Sequence, residues 1–182
     1  MKIGFIGLGN MATAIIGGLL REDTTLSSED GNATVITAAN IIGSAQTEAT
    51  RRAKAEQFGI AVTARNREVA AAADVLVLAV RPLFCPEVIA GIRDEGSENT
   101  LVISIAAGLT LERIAGLFDR NVTAMRLIRC MPNTPALINA GCTPVVPGPG
   151  ATEAAEAPCL RLTESFGRPR VIPARLSDAP TP

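Results

Sequence analysis

The opening of the chain constrains its fold more than any other stretch. Ile3-Gly4-Phe5-Ile6 is an apolar strand that runs directly into Gly7-Leu8-Gly9-Asn10-Met11-Ala12, a glycine turn opening a helix. The G-x-G-x-x-A spacing is that of a dinucleotide site: Gly7 permits the tight turn, Gly9 lets backbone approach a pyrophosphate, and Ala12 allows helix and strand to pack closely. The amides at the start of the helix, at its positive dipole end, then face the phosphates. Lys2 and the apolar residues after it also superficially resemble a secretory signal or a membrane span. A single Lys, interruption by glycines and Asn10, and the lack of a small-residue cleavage site favour a cytoplasmic strand–turn–helix instead.

Bulk properties narrow the function classes. A chain of 182 residues, 47% of them hydrophobic, has material for one well-formed core. Its formal charge of -1, with acids and bases interspersed, gives no basic surface for nucleic acid or a membrane. Without Trp or Tyr it also has no stacking platform for single strands. The complete absence of His removes imidazole acid–base chemistry, Ser-His-Asp triads and His-ligated zinc. Cys85, Cys130, Cys142 and Cys159 form no C-x-x-C pair and read as buried thiols in a reducing compartment.

Short apolar runs alternate with helical stretches, the signature of parallel βαβ units. Strands are predicted at 2–6, 34–39, 61–63, 75–80, 101–105 and 124–128. Helices are predicted at 11–21, 44–58 ending at Gly59, 67–73 with Asn66 as N-cap, 82–93, and 111–117 after Thr110. Val75 to Val80 is apolar at every position, as a central strand covered on both faces should be. The fold class is therefore α/β, a doubly wound, mostly parallel sheet with its ligand at the carboxyl ends of the strands. Pro144, Pro147 and Pro149 limit the segment after residue 140 to an edge strand at best. Pro158 predicts a kinked or shortened helix within 151–166. The expected division is a dinucleotide-binding domain over 1–166 and a loose tail over 167–182.

Four strings stand in order along the chain: the Gly7/Gly9 turn, Ala79-Val80-Arg81-Pro82, Ser104-Ile105-Ala106-Ala107-Gly108, and Arg129-Cys130-Met131-Pro132-Asn133-Thr134-Pro135-Ala136. Together they resemble the pyrroline-5-carboxylate reductases, Rossmann-like enzymes that complete proline synthesis by reducing a cyclic imine with NADPH. The last string is the most specific. The resemblance is close over roughly residues 1–140 and continues to about residue 179.

The resemblance implies a cofactor site drawn from Ile6, Gly7, Leu8, Gly9, Asn10, Met11, Asn66, Ala79, Val80, Arg81, Pro82, Ile105, Ala106 and Ala107. It implies a substrate-side loop of Met131, Asn133 and Thr134. Asn40 joins the cofactor set from the residues themselves. An NAD enzyme presents a carboxylate at the end of the second strand, and that strand is expected to end in Ala38-Ala39-Asn40. A neutral amide there favours NADP and leaves NAD open; Asn40 equally reads as a plain turn residue. Arg51, Arg52, Arg65 and Arg67 read either as substitutes for phosphate recognition or as solvated surface groups. Asn133 reads as a substrate-side donor or as a turn residue bonding its own backbone, and Arg126 and Arg129 as attractors of a substrate carboxylate or as helix caps.

The implied reaction moves hydride from NADPH to the imine carbon of 1-pyrroline-5-carboxylate, a small cyclic imine carboxylate, giving L-proline. The protein has to position and orient the reactants and exclude water, with no catalytic side chain and no metal. The resemblance also implies homodimers or larger assemblies, built by a helical domain that in the family follows the position of Ser177-Asp178-Ala179. The chain is thus expected to carry the cofactor half. Two other readings stay open: a nucleotide-binding module without catalysis, and a relative of the 3-hydroxyacid dehydrogenases, whose glycine turn is similar.

Overall fold

The computed structural model describes residues 1–21, 24–27, 31–133, 135 and 140–174. Their strands are β1 (Ile3–Ile6), β2 (Thr25–Ser27), β3 (Ala33–Val35), β4 (Ile41–Ser44), β5 (Ala61–Thr63), β6 (Val75–Leu78), β7 (Leu101–Ser104), β8 (Leu127–Cys130), β9 (Gly141–Pro147) and β10 (Gly167–Val171). The helices are α1 (Asn10–Arg21), α2 (Glu48–Phe58), α3 (Asn66–Ala72), α4 (Cys85–Ala90), α5 (Leu111–Leu117) and α6 (Glu153–Glu164).

The main sheet runs β10-β9-β8-β7-β6-β1-β4-β5. From β5 to β8 every neighbouring pair is parallel; β9 is antiparallel to β8, and β10 is parallel to β9. The parallel part has the doubly wound Rossmann order. Alternation along each strand feeds two cores. Val75 and Val77 pack with α1 and α6 on one face, while Leu76 and Leu78 pack with α3, α4 and α5 on the other. Gly18 of α1 marks a close approach on the first face, since a Cβ there would lie 2.3 Å from the Ser165 carbonyl oxygen. No described helix is long and apolar enough to cross a membrane.

Several expectations are corrected. The second parallel strand is Ile41–Ser44 rather than 34–39; Ala33–Val35 instead pairs antiparallel with β2 in a separate hairpin. The reason lies in Gly43, a poor strand former by composition that this strand needs. A Cβ there would come within 2.6 Å of the Leu8 side chain, which packs over it. The helix expected from residue 44 therefore begins at Glu48, capped by Thr47, and ends as expected at Gly59 in the left-handed region, φ 67°. The 82–93 helix divides into a 3-10 turn at Pro82–Phe84 followed by α4. β8 begins three residues later than expected because Val122–Ala124 forms a 3-10 turn. Cys142 is exposed, unlike the other three thiols.

The carboxy-terminal region is more ordered than its prolines suggest. β9 is an interior strand, bonded on both sides, with the Pro144 carbonyl still accepting from Met131 N–H at 3.0 Å. α6 runs through Pro158 as one shortened helix, capped by Thr152. Residues from Gly167, expected to be loose, form β10. A Cβ on Gly167 would sit 2.3 Å from the Gly141 carbonyl oxygen, so glycine is what lets the two strands begin side by side. Residues 175–182 lie outside the described residues.

Candidate nucleotide cleft

The carboxyl ends of β1, β4 and β6 meet at the point where the strand order reverses, which is where open α/β sheets bind ligands. Three turns leave the sheet there. After β1, Gly7 has φ 94° and donates its N–H to the Ser44 carbonyl at 3.1 Å. A Cβ on Gly7 would lie 2.8 Å from the Ala79 carbonyl oxygen, so the first glycine serves both conformation and space. Gly9 differs: a Cβ there would meet nothing within 4 Å. Its open side lies on the wall of a cleft of about 620 Å³.

α1 begins at Asn10, and the Gly9 carbonyl accepts from both Thr13 N–H and Thr13 Oγ1, each at 2.9 Å. Glycine before the helix supplies no side chain to cap the first-turn amides, and Gly9 and Asn10 line the cleft, so the helix start is placed to offer donors to a ligand. The first turn holds no acidic residue to compete with an anion. This arrangement fits a dinucleotide's diphosphate: open backbone at the second glycine, donors at a helix start, and no opposing carboxylate.

Gly7, Leu8, Gly9, Asn10, Asn66 and Ala79–Arg81 are brought together around this cleft. Asn66 is the first residue of α3 rather than its cap, because its Oδ1 accepts a 2.7 Å hydrogen bond from Ser44 Oγ. Ile6 is fully buried at the end of β1, and Met11 packs half-buried against the core beneath the turn. Pro82 opens the 3-10 turn after Arg81, at a helix start where its missing N–H costs nothing. Ile105, Ala106 and Ala107 follow β7, beyond β6 on the same edge, and Ser104 Oγ accepts from Ala106 N–H at 3.3 Å.

Asn40 does not belong to this group. It precedes β4, at the opposite edge of the sheet from the glycine turn. Its side chain donates to the Met1 carbonyl at 3.0 Å and accepts from Thr37 N–H and Oγ1 at 3.0 and 2.9 Å. It is a structural clasp. The true end of the second parallel strand is Ser44, followed by Ala45, Gln46 and Thr47, again without a carboxylate. Sequence reasoning therefore missed Ser44, Thr47, Thr50 and Lys54, all on the cleft wall; the recurrence of 47, 50 and 54 at helical spacing was the available signal.

Arg51, Arg52, Arg65 and Arg67 each bond to another group of the chain. Arg51 donates to the Ala45 and Gln46 carbonyls, Arg52 pairs with Glu56, Arg65 with Glu68 and Arg67 with Glu95. Thr63 donates to Glu68, and this bond, with the Arg65 guanidinium, holds the Glu68 carboxyl below its usual range. Beneath the cleft rim, burial pushes the Cys85 thiol up. Arg126 lies at the amino end of β8 and donates to the Asn99 carbonyl at 2.6 Å, away from the cleft, while the buried Arg129 places Nη2 3.3 Å from Met131 Sδ. Asn133 accepts from Cys142 N–H at 3.1 Å, tying the loop after β8 to the start of β9. Thr134 lies outside the described residues.

This geometry agrees with known proteins. The chain is 39% identical over 171 residues to pyrroline-5-carboxylate reductase of Escherichia coli K12, covering 94% of this chain and 58% of that protein. The solved pyrroline-5-carboxylate reductase of Coxiella burnetii superposes with a TM-score of 0.80 at 28% identity, over 94% of this chain and 58% of that one. The Plasmodium falciparum pyrroline carboxylate reductase with NADP bound shares the fold, with a TM-score of 0.75 at 21% identity over 96% of this chain and 58% of that one. The chain thus spans somewhat over half the length of these relatives. A family model described as NADP oxidoreductase, coenzyme F420-dependent, matches residues 2–108, more than half of the chain, and the protein belongs to that family.

Proposed function

We propose that the cleft binds NADP(H), with NAD(H) as the weaker ligand, and that the protein serves the reduction of 1-pyrroline-5-carboxylate to L-proline. The observation that carries this reading is the convergence of the open Gly9, the first-turn amides of α1 and the carboxylate-free end of β4 at one switch point. The similarity to pyrroline-5-carboxylate reductases over 94% of the chain supports the choice of substrate. The bound coenzyme supplies hydride.

The chain's own residues bind and orient. The amides of Asn10 to Ala12 take the diphosphate. The Asn66 amide, fixed by Ser44, meets a ribose, and the small side chain of Ala79 lets flat groups lie against backbone. Ala107, exposed after β7, lies on the same sheet edge as the loop of Met131 and Asn133 that follows the parallel β8, where the imine carboxylate is expected, while Ala106 packs into the core beneath. Homodimers or larger homo-oligomers, as the family resemblance implies, and a cytoplasmic location complete the proposal.

A cofactor titration beside a turnover assay tests it. NADPH should bind saturably, and NADPH oxidation should depend on added pyrroline-5-carboxylate. Tight binding without imine-dependent oxidation would favour the second reading, a nucleotide-binding module without catalysis, which the match to only 58% of the E. coli relative keeps open. Absence of binding would overturn both.

A further inference from the structure

One wall of the cleft is formed by α2, on which Thr47, Thr50 and Lys54 recur on one face. Arg51 shares that face but is committed to the loop carbonyls of Ala45 and Gln46, at 2.7 and 2.8 Å. Lys54 is committed to no anion. Its ammonium donates to the neutral Gln57 Oε1 at 2.8 Å and lies 5.7 Å from the centre of the Phe58 ring. Among the described residues it has no carboxylate partner, whereas Arg52 beside it has Glu56. The cleft wall as a whole carries two cations, Lys54 and Arg81, and no carboxylate. The Thr47 and Thr50 hydroxyls lie 2.8 Å apart. One hydroxyl hydrogen is used between them, and the other is left to donate outward.

We propose that Lys54 is the residue that selects a 2′-phosphorylated adenosine, with the Thr47–Thr50 hydroxyl pair as a secondary donor. The inference rests on the coenzyme reading and extends it to specificity. In this fold the adenosine ribose lies at the end of the second parallel strand, where an acidic residue would hold its 2′-hydroxyl and repel a 2′-phosphate. Here that position is Ser44, and the nearest helix instead offers an ammonium. A phosphate monoester adds nearly two negative charges to a wall that is cationic and has none of its own. Selection is thus placed on the second turn of α2 rather than at the strand end.

The test is titration calorimetry on the full chain at fixed ionic strength, comparing adenosine 2′,5′-bisphosphate with 5′-AMP and NADPH with NADH, in wild type, Lys54→Met and Lys54→Arg. Lys54→Met is expected to weaken the 2′-phosphorylated ligand of each pair by about 10- to 100-fold while changing its partner by less than about twofold. It should also flatten the salt dependence of NADPH binding, and Lys54→Arg should keep most of the preference. Equal weakening of both members of a pair, or no weakening, overturns the assignment of Lys54 while leaving the coenzyme site in place. Failure of every ligand to bind wild type overturns the coenzyme site itself, and this assignment with it.

Discussion

Ser44 Oγ donates to Asn66 Oδ1 at 2.7 Å, joining the end of β4 to the first residue of α3 on the wall of the cleft. Ser44 is 1% exposed and Asn66 half-buried, and the bond between them fixes which way the Asn66 amide faces. With Oδ1 occupied, the Asn66 NH₂ group is the part left to address a ligand. Ser44→Ala is expected to lower stability by about 1 kcal/mol and to weaken NADPH binding by about fivefold. In an Asn66→Ala background the same change should leave binding unaltered, because the group it positions is gone. Additive losses in titrations of the double mutant would refute the positioning role.

Two glycines of one turn should fail in different ways. Gly7→Ala places a side chain at φ 94°, 2.8 Å from the Ala79 carbonyl, and should destabilise the fold by about 1–3 kcal/mol in denaturant titrations. Gly9→Ala places its Cβ in open space and should leave the stability within about 0.5 kcal/mol of wild type, yet weaken NADPH binding by about tenfold or more.

Thr143 is completely buried in β9, and its Oγ1 has no hydrogen-bond partner among the described residues. Thr143→Val keeps the shape and removes the desolvated hydroxyl, so it is expected to stabilise the protein by about 1 kcal/mol. A higher denaturant midpoint at unchanged slope would show this, and a lower midpoint would mean that the hydroxyl is satisfied.

Contact with the Cys130 thiol, 3.5 Å away, and burial hold the Cys159 thiol above its ordinary value of 9.0. The folded chain therefore keeps a proton that the unfolded chain releases above pH 9. Stability should be insensitive to this group at neutral pH and fall as pH rises beyond 9, by up to about 1.4 kcal/mol per unit. Cys159→Ala should flatten that alkaline slope in melts recorded between neutral pH and the alkaline limit of folding.

Where local pattern and tertiary environment agree, the fold was legible. Val75–Leu78, apolar throughout, is an interior strand between β1 and β7; Thr110 caps α5 through Arg113 N–H, and Gly59 closes α2. The glycine turn announced its own position. The end of β4 was not legible, because Thr34-Val35-Ile36-Thr37 has the stronger strand composition while Ile41-Ile42-Gly43-Ser44 is interrupted by glycine. That glycine answers to Leu8, thirty-five residues earlier in the chain, and no local window contains both. The displaced strand moved the expected strand end to Asn40, at the far end of β4 from the cleft that Ser44 to Thr47 line. β10 was hidden for a similar reason, since its pairing depends on Gly167 approaching the backbone of Gly141, twenty-six residues earlier, which happens only in the folded sheet.

Hydrogen exchange of the full chain with and without saturating NADPH tests the location of the coenzyme most directly. Slowed exchange is expected at the amides of Gly9 to Ala12 and in the segments after Ser44 and Leu78, with no change in the β2–β3 hairpin, in the turn that ends at Asn40 or in β10. Saturable NADPH binding that leaves the amides of Gly9 to Ala12 exchanging as in the free protein would contradict it.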